Sequence, residues 1–100
     1  MTLGILVNTD KHAAKIAGIA NAAIKRGHKV IIFFMDDGCR IINDGRITSL
    51  KDSENITMSL CDLNRRNLGM NDKEIPQFIR CGSQYDNALM HRSADKIVVF

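Results

Sequence analysis

The residues of this chain best suited to covalent chemistry are its three cysteines, Cys39, Cys61 and Cys81. A thiolate attacks electrophilic sulfur, and its reactivity depends on what surrounds it. Cys61 closes the alternating stretch Ile56-Thr57-Met58-Ser59-Leu60, and the segment after it, Asp62 to Leu68, reads as about two helical turns stopped by Gly69. A sulfur at such a strand-to-helix junction meets unpaired backbone amides and the positive end of the helix dipole, both of which favour thiolate over thiol. Arg65 and Arg66 can reach back over the first turn to hold an anion. The competing role for Cys61 is that of an inert, buried small residue.

Cys81 ends a short extended stretch, Gln77 to Cys81, entered through Pro76. It is expected on the strand beside that of Cys61. Neighbouring strands lie about 4.8 Å apart, so a disulfide or a sulfur relay between the two is a geometric expectation, set against the plainer role of a core thiol. Cys39 follows the second strand, and with the first strand expected to intervene it needs a mobile loop to meet Cys61. It is an accessory thiol. His12, between Lys11 and Lys15 at the start of the first helix, puts positive charge at a helix end that disfavours it, which points to an anionic ligand or to a solvated polar face. Three thiols and His12 would make a tetrahedral donor set, but no Cys-x-x-Cys spacing supports it and no metal is assigned. Asp36 and Asp37 read as a strand end and a cap. No Gly-x-Gly-x-x-Gly opens the first helix, and no cofactor is expected.

Placing three cysteines at one edge requires a parallel sheet. Leu3 to Val7 and Val30 to Phe34 are continuous apolar runs, as in strands buried on both faces. Between them Thr9 and Asp10 can cap a helix whose stripe is Ala13, Ile16, Ala17, Ala20, Ala23 and Ile24, closed by Gly27. Strand, helix and strand with short links make a right-handed crossover. Cys39 to Ile42 forms a short helix and Gly45 to Asn55 a polar surface loop. Ser83 with Asp86 makes a capping box for a last helix through Ala88, Leu89 and Arg92, and Lys96 to Phe100 is the closing strand. The expected architecture is a flavodoxin-like three-layer α/β fold, a five-stranded mainly parallel sheet with helices on both faces. Ligands in such folds bind outside the carboxyl ends of the strands.

One hundred residues suffice for one core, so residues 1–100 form a single domain. No stretch approaches the roughly 18 to 20 apolar residues of a membrane span, and Met1 to Ile5 lacks the features of a signal peptide. A cytoplasmic location is expected, with the odd number of cysteines kept reduced. The net charge of +3 is mild and the Lys and Arg residues are interspersed with acids, with one Tyr and no Trp. Nucleic acid is therefore excluded as a partner, as is a membrane.

Phe33-Phe34 with Asp37-Gly38, Leu60-Cys61 followed by Arg65-Arg66 and Gly69, then Gly82, and finally Ala94-Asp95-Lys96-Ile97-Val98-Val99-Phe100 run in one order over nearly the whole chain. Together they resemble the DsrE/TusD-like family of small sulfur-relay proteins. The resemblance implies a sulfur carrier whose active cysteine falls on Cys61. That residue would accept sulfane sulfur as a persulfide from a donor protein and pass it to an acceptor protein, within a homo- or hetero-oligomer. The chain departs from the family pattern in being shorter between the second and third strands, and in carrying Cys39 and Cys81. The leading expectation is accordingly sulfurtransfer through Cys61. The alternatives are a thiol redox switch pairing Cys61 with Cys81 or Cys39, and a non-catalytic binding subunit. Carrier chemistry requires the Cys61 sulfur to be reachable at the mouth of the sheet.

Overall fold

The structure, a computed structural model, describes residues 1–100. The apolar runs form strands where expected: β1 (Thr2–Val7), β2 (Lys29–Phe34), β3 (Ile56–Cys61), β4 (Ile79–Gly82) and β5 (Lys96–Val99). All neighbouring pairs are parallel, in the order β4-β3-β2-β1-β5. The helices are α1 (Ala13–Lys25), α2 (Gly45–Thr48), α3 (Asp62–Asn67) and α4 (Gln84–Ser93). The chain has the expected flavodoxin-like three-layer α/β class.

The strand order carries a consequence for the site. β1 to β4 are laid side by side in one direction, and only the step from β4 to β5 turns back across the sheet. Since crossovers are right-handed, three of them lie on one face and α4 lies on the other. The buried residues divide accordingly. On the α1 face a large core joins Ile16, Ala20 and Ala23 to Ile5, Val7, Val30, Ile32, Phe34, Met58 and Leu60. On the α4 face a small cluster consists of Phe33, Cys61 and Met90, with Leu6, Ile31, Met35 and Ile97 packed against it.

Two local expectations fail. α1 does not use Thr9 or Asp10 as its cap: it begins after His12, whose side chain makes no capping bond. The stretch Gly45 to Asn55 is not a surface loop, because Ile47 and Leu50, three apart, turn a shared apolar face inward. Asp44 starts α2 by accepting from the Arg46 amide at 2.9 Å, and a 3₁₀ turn, Ser49–Asp52, follows. The capping box at α4 forms as expected, with Ser83 Oγ accepting from the Tyr85 amide and Asp86 Oδ2 from the Ser83 amide. No helix is long and apolar enough to cross a membrane.

Candidate functional site

β3 and β4 end at the carboxyl edge of the sheet, and their register decides which side chains share a face. Leu60 pairs with Cys81, and Cys61 with Gly82. Because successive side chains alternate across a sheet, Cys61 points to the α4 face and Cys81 to the α1 face. The expected disulfide or relay between these adjacent strands is therefore wrong in detail: the strands are neighbours, but the two sulfurs lie on opposite sides of the sheet. Cys81 is exposed, and its thiol is pushed up by partial burial and by the Asp62 and Asp72 carboxylates, against the pull of Arg65.

Cys39 is also placed otherwise than expected. β2 lies directly beside β3, so no strand intervenes and no mobile loop is needed. The residue sits in the 3₁₀ turn Asp36–Ile41 and packs in the α1-face core. Its thiol donates to the Phe34 carbonyl across 3.6 Å. Cys39 thus packs where β2 ends, close to the Cys61 sulfur at the end of β3. Burial, and then the nearby Cys61 sulfur, push its thiol from 9.0 up to about 11.

A stability change at alkaline pH follows. Between these two values the unfolded chain holds fewer protons than the folded one, so stability is full below pH 9 and falls as the pH rises toward 11. The loss is expected to reach about 2 kcal/mol. Urea midpoints at pH 8 and pH 10.5 check it, and Cys39→Ala should flatten the difference.

The groups expected to support an anion at Cys61 are engaged with other partners. Arg65 is buried and spends its guanidinium on Asp62 and Asp72, both at 2.7 Å, and on the Met70 carbonyl at 3.1 Å. Arg66 is held by Asp62 at 2.8 Å. Asp62, placed one residue after Cys61 to complement the start of α3, draws both arginines away. His12 rests its ring against Phe100, 5.9 Å between centroids, at the end of β1, two strands from β3. Nor does the Cys61 sulfur cap α3. Cys61 is 4% exposed, so the sulfur is at the mouth of the sheet but covered.

On the α4 face a different set surrounds Cys61. Ser59 precedes it on the same face and pairs with Arg80, so Arg80 is the cation on the Cys61 side. Its guanidinium, 70% exposed, bonds Asp86 Oδ1 at 3.0 Å, and that carboxylate, only 9% exposed, lies over Gly82. A Cβ there would push the Asp86 carboxylate away from its bonds to Arg80 and the Ser83 amide. Arg80 has no role in the sequence reading, and Asp86 is there only a helix cap, because only the β3–β4 register reveals the face they share.

A three-layer α/β domain with a parallel sheet in the order β4-β3-β2-β1-β5 is the class that this fold and edge define. Its architecture is shared with two solved structures. The ychN protein from E. coli matches with a TM-score of 0.72 at 14% identity, over 99% of this chain and 97% of that one. The second, a protein of unknown function, MTH1491 from Methanobacterium thermoautotrophicum, matches with a TM-score of 0.72 at 10% identity, over 99% and 98%. No protein-family model matches the sequence, and no curated protein is significantly similar to it.

Proposed function

We propose that this protein is a sulfur carrier: Cys61 accepts sulfane sulfur as a persulfide and passes it to a partner protein. The observation that carries the proposal is the position of Cys61 at the carboxyl end of β3, on the face covered by α4 alone. α4 buries only Met90 of its ten residues, so it is weakly anchored, and local opening there exposes the sulfur. Between openings the same cover keeps a bound persulfide from water and oxidants. Burial pushes the thiols of Cys39 and Cys81 up, which makes those two poorer nucleophiles. The resemblance to DsrE/TusD-like proteins and the fold shared with ychN support the same reading.

Assembly into an oligomer, cytoplasmic residence and docking of an acceptor belong to the proposal. Leu63 and Tyr85, large exposed apolar side chains in the first turns of α3 and α4, flank the carboxyl edge and would be covered by a docked partner. Incubation with polysulfide, followed by intact-mass analysis, tests the carrier role. The native protein is expected to gain one sulfur atom, Cys39→Ser and Cys81→Ser to gain it as well, and Cys61→Ser to gain none. Equal loading of Cys61→Ser would sink the proposal.

The burial of Cys61 favours a second reading, a binding subunit without thiol chemistry. It predicts that Cys61 of the native protein stays unalkylated over hours in iodoacetamide.

A further inference from the structure

A single helix cannot cover one face of a five-stranded sheet. Four inter-strand spacings of about 4.8 Å make the sheet roughly 19 Å wide, against a helix diameter of about 10 Å. α4 packs over β1 and β2, and a groove of about 470 Å³ remains between it and the strands β3 and β4. Its apolar surface includes Ile31, Phe78 and Leu89, and its polar groups are the Thr57, Ser59 and Ser93 hydroxyls and the Arg80 guanidinium paired with the Asp86 carboxylate. Met90 lines the groove and belongs to the same buried cluster as Phe33 and Cys61.

We propose that this groove binds the sulfur donor, and that the donor is a small thiol persulfide bearing a carboxylate. The inference rests on Cys61 being the carrier and names the class of molecule that loads it. The volume lies in the range of small-molecule sites and is too small for a folded partner. Arg80 shows one bond to Asp86, so most of its five N–H donors are free for a ligand carboxylate. The hydrocarbon part of the donor lies on Phe78 and Leu89. Its terminal sulfur points along β3 past Ser59 toward Cys61, where Met90 must turn aside.

The step balances without any other reagent. The Cys61 thiolate attacks the outer sulfur of R–S–SH; the new bond is Cys61 Sγ–S, and the donor's own S–S bond breaks. The electron pair and the negative charge leave with R–S⁻, while the outer sulfur keeps its proton, giving Cys61–S–SH.

Two measurements on the full chain decide the matter. The first is the rate at which Cys61 gains sulfur from glutathione persulfide and from inorganic polysulfide, in the native protein, Arg80→Gln and Leu89→Trp. The second is calorimetric binding of unreactive S-methylglutathione. Loss of the Arg80 contact is expected to slow loading from glutathione persulfide about tenfold and to weaken S-methylglutathione binding equally, as for one charged hydrogen bond. Leu89→Trp, which fills the groove, is expected to do the same, and loading from polysulfide, which has no hydrocarbon part for the groove to hold, is expected to fall by clearly less in both variants. Polysulfide loading with no discrimination between donors and no calorimetric signal overturns the groove proposal and leaves the carrier intact. The same holds if a second copy of the chain occupies the groove, seen as a dimer that Leu89→Trp dissociates. Failure of both donors to load native Cys61 overturns the carrier reading, and the donor proposal falls with it.

Discussion

Phe33→Ala is expected to destabilise the protein by about 4 kcal/mol, near the upper part of the range for a fully buried aromatic. Phe33 is wholly buried, and it is the largest member of the three-residue cluster that also holds Cys61 and Met90. Its neighbours Leu6, Ile31, Met35 and Ile97 are held by the strand framework, so they close only part of the space left behind. For a domain whose net stability is about 5–15 kcal/mol, such a change should lower Tm by roughly 20 °C. It should also change reactivity, because the cavity opens beside the sulfur. Alkylation of Cys61 under native conditions is expected to speed up at least about tenfold as local opening becomes easier. Urea denaturation and timed alkylation with mass detection measure the two effects. Full loss of stability with an unchanged alkylation rate would mean that the opening which exposes Cys61 does not run through α4.

Gly38→Ala is expected to cost about 3 kcal/mol, a value typical of severe overpacking. The added Cβ would fall on the carbonyl oxygen of Val7, a backbone atom in the middle of the carboxyl edge. That oxygen already accepts from the Met35 amide at 2.8 Å, so it cannot swing away without breaking the link between β1 and the turn after β2. The same turn contains Asp36, at a φ of 47°, and Cys39, whose thiol bonds the end of β2. Displacing it therefore loosens the strand ends around Cys61. Gly45→Ala provides the contrast: nothing lies near its Cβ position, it sits in α2, and the substitution is expected to be neutral or to stabilise by about 0.5 kcal/mol. Chemical denaturation of the two variants side by side separates a local clash from a general effect of removing glycine.

The sequence by itself determined the elements. Continuous apolar runs such as Val30 to Phe34 have no solvent-facing side and become central strands. The alanine-rich stripe of α1 can only be buried, and Ser83 with Asp86 can satisfy the first amides of α4 from local spacing alone. These are short-range facts, carried by neighbours within a few residues, and the parallel α/β class follows from them. Gly45 to Asn55 reads as a loop in the sequence because two apolar residues among polar ones, Ile47 and Leu50, give too short a period to register as a helix.

The tertiary structure decided the site. Whether β2 or β1 lies beside β3 is a choice of strand order that leaves no mark on local periodicity, and it moved Cys39 from a distant loop to the end of the β2–β3 ladder. Register then separated Cys61 from Cys81, since a shift of one residue along a strand reverses the face. The nearest arginines in sequence, Arg65 and Arg66, were drawn to Asp62, while Arg80 reached the Cys61 face from an adjacent strand. Which side chains meet is set by pairing between segments far apart in the chain, and that pairing arises only when the whole sheet closes.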